Sequence, residues 1–170
     1  DLWSDRYGSG ADGALTVSGN TTWSQTNQSC SGTSGTNTLT IASAAFSNGD
    51  LVLVHQTRGT SAGAWELNKI SSGGGTTTLT VAYNLTNTYT DSGASQAQII
   101  KLPQYTTVTI NGSVTLSASG WDGNIGGIVA FVANSTVTVT GTISAKGSDA
   151  TLFSGGGETS PGNGGGFRGG

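Results

Sequence analysis

His55 is the one histidine in the chain, so any catalytic triad or imidazole general base would have to be built on it. It extends the apolar run Leu51-Val52-Leu53-Val54, and alternation puts it on the face of Leu51 and Leu53. That placement reads as a histidine hydrogen-bonded at a strand end. Glycosidase chemistry needs two carboxylates flanking one bond. The nine acids are Asp1, Asp5, Asp12, Asp50, Glu66, Asp91, Asp122, Asp149 and Glu158, and most stand in Gly-containing turns, where Asp is favoured for local hydrogen bonding. A lyase would gather acids and bases on neighbouring rungs, yet only Asp122, Lys146 and Asp149 fall in the region of such rungs. With one Cys and one His there is no zinc set. Asp12-Gly13, Asp50 and Asp122-Gly123-Asn124 lack the spacing of a calcium loop. The Gly-rich segments lack the Gly-Lys-Ser/Thr of a phosphate loop. The expectation is therefore a chain with no catalytic residue, no cofactor and no metal.

Aromatic residues offer contact rather than catalysis. Trp65 lies in an alternating stretch with Leu67 and Lys69, where a core or cap role outweighs that of a ligand platform. Trp121 sits in a Gly-flanked turn, placed to pack over the end of a solenoid or to stack on a sugar. Trp3 and Tyr7 occupy a polar N-terminal stretch, and aromatics there have a purpose if they dock on something. With the strand-like Leu15 and Val17, which could add to a neighbour's sheet, they are the expected partner contacts: Trp3, Tyr7, Leu15, Val17 and Trp121.

The elements that must position these residues are strands. No window keeps apolar residues at helical spacing, whereas period-two alternation recurs at 14–17, 38–41, 78–81, 107–110, 113–116 and 136–139. Leu51–Val54 and Gly127–Val132 are apolar on both faces and are expected as fully buried strands. Ser47-Asn48-Gly49-Asp50, Ser72-Gly73-Gly74-Gly75, Asp91-Ser92-Gly93 and Asn111-Gly112 supply the turns. Two repeats organise the pattern. Thr36–Ala42 returns forty residues later at Thr76–Ala82, and Thr107–Val114 returns 29 residues later at Thr136–Ile143. A period of 29 with short strands and Gly corners is one rung of a parallel β-helix, which cannot bury its inner face until neighbours stack on it. The fold expected is all-β. A compact β-barrel or sandwich-like module with an N-terminal extension spans 1–102, β-helix rungs span 103–154, and a Gly-rich tail or the start of a continuation spans 155–170.

Charged residues are 9% of the chain, against roughly 25% in ordinary soluble domains. Ser, Thr, Asn and Gln must carry solubility, as in extracellular β proteins. The six basic residues are scattered and the net charge is −3, so no phosphate-tracking stripe forms and nucleic acid is not an expected partner. No stretch approaches the ~20 apolar residues of a membrane helix. The chain holds no Met and starts at Asp1, which a processed or partial chain with a removed signal peptide would explain. Cys30 stands alone and is read as a buried thiol, with an intermolecular bridge as the alternative. Asn-x-Ser/Thr sequons at Asn20, Asn27, Asn84, Asn111 and Asn134 are expected by chance in so Ser- and Thr-rich a chain.

Gly49–Gly59, with Ala62–Ile70 behind it, has the look of a recurrent bacterial segment. Pro103–Thr106, Trp121-Asp122-Gly123, Gly126–Phe131 and the closing Gly166-Phe167-Arg168-Gly169-Gly170 extend the pattern. Residues 37 to 170 together resemble the N-terminal portion of large Gly-rich extracellular proteins of bacteria. The resemblance implies surface association and a longer chain after the Phe-Arg-Gly-Gly element. The resulting expectation is a secreted, non-enzymatic structural or adhesive protein at a cell surface. It would self-associate, or bind other surface proteins or glycans, and could form filaments by strand addition. The alternatives are a viral tail-fibre or tailspike segment, a glycan-binding or polysaccharide-degrading β-helix module, and an ice-binding face made of outward Thr107, Thr109, Thr136 and Thr138.

Overall fold

The structure, a computed structural model, describes residues 7–147 and the backbone of two short strands further on. It is built from strands, and no helix occurs among the described residues. The first rung holds β1 (Leu15–Val17) and β2 (Thr21–Trp23). Then come β3 (Asn27–Gly32), β4 (Thr38–Ile41), β5 (Leu51–Arg58), β6 (Trp65–Ser72), β7 (Thr78–Val81) and β8 (Gln96–Lys101). The second rung follows as β9 (Gln104–Tyr105), β10 (Val108–Ile110) and β11 (Thr115–Ala118), and the third as β12 (Val132–Ala133), β13 (Val137–Val139) and β14 (Thr142–Ser144). Last, β15 (Thr151–Leu152) pairs antiparallel with β16 (Thr159–Ser160). Apart from β16, the expected Gly-rich tail lies outside the described residues.

Strands β3 to β8 close into a six-stranded antiparallel barrel in the order β3-β4-β7-β6-β5-β8, a barrel and not a sandwich. Alternating Thr and aliphatic residues explain β4 and β7: Leu39, Ile41, Leu79 and Val81 fill the interior while Thr38, Thr40 and Thr78 face out. The two copies of the forty-residue repeat lie side by side, with Leu39 directly opposite Leu79. Phe46, Leu85 and Tyr89 join this core from the loops. Closure leaves the barrel with no open edge, which a chain so poor in charged edge-blocking residues would otherwise need to protect. Leu51, Val52 and Val54 are buried as expected, while Leu53 is half-buried, in a strand β5 that pairs with both β6 and β8. Cys30 lies inside the barrel, 1% exposed, so it cannot bridge to a second chain while the barrel is closed. Burial, and after it the nearby Asp91 charge, raise its thiol pKa.

The remaining strands form a three-faced parallel solenoid with sheets β1-β10-β13, β2-β11-β14 and β9-β12. The 29-residue repeat is one step of it, since Val108 pairs with Val137 and Ile110 with Val139. After the corner the register shifts. Ile143 pairs with Leu116 rather than with Val114, its counterpart in the repeat. The Asn111–Val114 turn, in which Ser113 takes a positive φ of 65°, absorbs the difference. Residues 7–23, expected as an extension of the compact module, pair instead in parallel with the second rung: Leu15 with Val108 and Leu116 with Thr21. The barrel is thus inserted between the first rung and the second. The two parts meet at β8, whose Gln96–Ile100 stretch is buried on both faces.

Gly127–Val132, expected as a buried strand, is mostly irregular and half-buried, and only its end enters β12. The cause is local. Gly126 and Gly127 both have positive φ, and the backbone groups here bond outside any ladder. Gly127 N–H donates to the Ser119 carbonyl (2.8 Å), and the Ile128 carbonyl accepts from Gln25 Nε2 (2.9 Å).

Candidate functional site

Among the residues expected to contact a partner, Tyr7 is 62% exposed, and the segment behind it lies along β9, with Gln104 N–H donating to Asp12 Oδ2 at 2.6 Å. Trp3 lies outside the described residues. Leu15 is half-buried and Val17 buried, both in the first rung, so their side chains pack inside this chain. Trp121 is likewise in internal contact. The Arg58 guanidinium lies 5.5 Å from its ring centroid, and Arg58 Nε donates to the Ala94 carbonyl at 2.9 Å. A β-bulge between Gln56 and Arg58 aims that arginine across the junction. The Trp121 indole N–H and Gln96 Oε1 are buried without a hydrogen-bond partner.

His55 stands on the outer face of β5, at the end of a short hydrogen-bonded chain: Gln98 Nε2 donates to Thr57 Oγ1 (2.9 Å), and Thr57 Oγ1 lies 3.0 Å from His55 Nδ1. Burial pulls the His55 pKa below its ordinary value. The unfolded state therefore binds more protons than the folded one, and His55 contributes stability that is full above the ordinary histidine pKa and lost as pH falls through it. The melting temperature is expected to drop from about pH 7 to pH 5, with a smaller drop in His55→Gln. Parallel pH profiles of the two proteins would refute this assignment.

The carboxylates are engaged locally. Asp122 Oδ1 accepts from Asn124 N (2.8 Å) and Ile125 N (2.9 Å), closing its own turn. Asp50 pairs with Lys101 at 2.8 Å and accepts from Ser47 N at 2.9 Å. Glu66 accepts from the backbone N–H groups of Thr86 (3.1 Å) and Asn87 (3.2 Å). The Tyr89 hydroxyl also bonds it, and burial together with that contact raises the phenol pKa. No group of three or more His, Cys, Asp or Glu that could hold a metal occurs among the described residues.

Two surfaces stand out. The first is the outer edge of the third rung, the last rung among the described residues. Val108, Ile110 and Leu116 point inward and are 0% exposed, yet the residues stacked on them in register, Val137, Val139 and Ile143, are 47%, 45% and 39% exposed. The first rung differs in burial, although β1 and β2 are edge strands too. Val17 and Trp23 of the first rung are buried, and Trp23 packs on Tyr105 and Phe131 at 6.4 and 5.9 Å between ring centroids. Composition did not reveal this edge, but the 29-residue repeat did contain the signal, because no further copy pairs with the last one among the described residues. Along the outside of the same sheet Thr16, Thr109 and Thr138 stack in register.

The second surface is a cavity of about 460 Å³ on the barrel, between the start of β6 and the Tyr83–Thr86 loop. Trp65 forms part of its wall and is 58% exposed, against the expectation of a core or cap role. The reason is register: Trp65 opposes His55, on the outward face of the barrel. The loop is held to the strand by the Asn68 amide, which donates to the Tyr83 carbonyl (2.9 Å) and accepts from Tyr83 N (3.2 Å).

No protein-family model matches the chain and no curated protein matches it, so the resemblance to Gly-rich bacterial surface proteins rests on the quoted motifs alone. Solved structures with partial similarity include the tailspike protein gp49 from Pseudomonas phage LKA1, at 15% identity and TM-score 0.39, covering 62% of this chain and 24% of that one. The Gp54 tailspike of Acinetobacter baumannii bacteriophage AP22, solved in complex with A. baumannii capsular saccharide, matches at 11% identity and TM-score 0.39, covering 70% and 21%. The Pseudomonas phage phi297 tailspike gp61 matches at 17% identity and TM-score 0.36, covering 78% and 25%. The chain thus spans about a quarter of the length of these proteins or less.

Proposed function

We propose that this chain is a non-enzymatic structural or adhesive module of an extracellular surface, joined to a neighbouring chain through the open end of its solenoid. The observation that carries the reading is the contrast between Val108, Ile110 and Leu116, fully buried, and their register partners Val137, Val139 and Ile143, which stay exposed. Among the described residues this aliphatic column ends uncovered, beside strands β13 and β14 that pair on one edge only, which makes it a template for one more parallel rung. The first rung buries its inner residues Val17 and Trp23, so the uncovered column lies at the third rung.

Sedimentation velocity and negative-stain imaging of the purified chain over a rising concentration series test the proposal. Concentration-dependent end-joined particles are expected. Strictly monomeric globules at the highest concentration would overturn self-association, and a discrete trimer would replace it with the spike reading. The non-enzymatic half of the proposal rests on Asp122 and Glu66, each of which accepts hydrogen bonds from the backbone of a loop. Glycan cleavage abolished by Asp122→Asn or Glu66→Gln would overturn that half.

A further inference from the structure

The cavity beside Trp65 is separate from the solenoid end and makes its own demand on a ligand. We infer that it binds a carbohydrate, taking the apolar face of a neutral pyranose ring against the Trp65 indole. The inference goes beyond assembly and holds whether or not the chain self-associates.

Its volume, about 460 Å³, falls in the usual range of small-ligand pockets. A large aromatic left 58% exposed at a cavity wall is an unspent contact surface, because an indole placed for stability alone would be turned into the core. A pyranose offers that surface a patch of C–H groups, whose partial positive charge suits the negative π-face. Its ring-edge hydroxyls need groups that both donate and accept, and Asn84 and Thr86, both exposed on the facing loop, supply an amide and a hydroxyl. Tyr83 adds a second aromatic to the lining.

The floor is already built. Glu66 is bound by Thr86 N and Asn87 N, and Asn68 by the backbone of Tyr83, so the loop carrying Tyr83, Asn84 and Thr86 is tied to β6 before any ligand arrives. A preorganised site of this kind spends little of its binding energy on ordering itself. Bonded to these backbone N–H groups, Glu66 serves as a strut.

Charge selects among ligands that stack. Nucleobases also stack on indoles, but they bring phosphates, and the lining holds a carboxylate and no Lys or Arg. The same carboxylate disfavours uronic acids. The other described cavity, about 510 Å³, is lined by hydroxyl residues and Asp91 and offers only Tyr89, a residue buried in the barrel, as an aromatic. It lacks the stacking surface that the inference requires.

The test is titration with neutral oligosaccharides (hexose and N-acetylhexosamine oligomers) alongside uronate-containing oligomers of matched length, read by ¹⁵N-¹H NMR of the tryptophan indoles. A neutral oligosaccharide is expected to move the Trp65 indole resonance while those of Trp23 and Trp121 stay in place. Trp65→Ala is expected to weaken its binding by about tenfold or more, and Tyr7→Ala to leave it unchanged. No neutral oligomer shifting the Trp65 signal at millimolar concentration would overturn the inference. So would tighter binding of the uronates, or affinity kept within twofold in a Trp65→Ala protein that melts like the parent. The wild-type indole shifts decide the matter even if that variant fails to fold.

Discussion

Replacing Gln98 with Leu is expected to lower the unfolding free energy by about 3 kcal/mol, because it strands two buried backbone groups at the junction of barrel and solenoid. Gln98 is fully buried on β8. Its amide donates to the Gly126 carbonyl (3.1 Å) and accepts from Gly126 N–H (3.0 Å), reproducing one step of a sheet ladder where no strand is present. The leucine fills similar space but leaves both groups of Gly126 without a partner, and each costs about 1–3 kcal/mol. Gly126 has no easy way to turn elsewhere. It sits at φ 104°, with the Gly120 carbonyl where a side chain would begin. The variant also removes the donor to Thr57 Oγ1, the atom that bonds His55 Nδ1. Urea denaturation followed by tryptophan fluorescence would measure the loss. A change below about 0.5 kcal/mol, the scale of an ordinary surface substitution, would show that the junction does not depend on this amide.

Gln98 also marks the limit of what could be read from the sequence. Alternation makes β4, β7, β10 and β13 visible, because in each the aliphatic residues go inward and threonines outward. In β8, Gln96 and Gln98 alternate with Ala97 and Ile99 and look solvent-facing, yet all four are buried because the solenoid covers the outer side. A buried glutamine that satisfies loop backbone cannot be told from a surface glutamine until that loop is placed. Strand β3 is hidden for a related reason: Asn27-Gln-Ser-Cys-Ser-Gly32 offers the barrel interior only Cys30 among apolar residues. The first rung, by contrast, carried a readable signal. Leu15-Thr-Val-Ser-Gly19, Val108-Thr-Ile-Asn-Gly112 and Val137-Thr-Val-Thr-Gly141 share aliphatic-Thr-aliphatic-x-Gly, but the inserted barrel separates the first copy from the others by far more than one period. As for the candidate sites, Trp65 could be placed on a strand but not outside the barrel, since alternation fixes which residues share a face and not which face meets water.

The double substitution Val137→Lys with Val139→Lys is expected to abolish end-to-end association while leaving the melting curve of the monomer close to that of the parent. Both valines are nearly half exposed in the free chain, so the lysines can reach water there and cost the monomer little. In the joined state the same positions would lie between rungs, as Val108 and Ile110 do. An ammonium enclosed there without a partner costs several kcal/mol. A loss of about 3 kcal/mol already weakens association on the order of 100-fold, and two such charges exceed that. Lysine is also the residue with which natural edge strands prevent pairing. Thr138→Lys supplies the contrast. It lies between the two valines on the same strand but points to the opposite face, so it adds charge to the edge without entering the inner column. Sedimentation velocity should find the double variant monomeric and Thr138→Lys assembling like the parent. If the double variant assembles as well as the parent, the aliphatic column is not the joining surface. If Thr138→Lys is equally defective, association depends on net charge and not on a stacked rung.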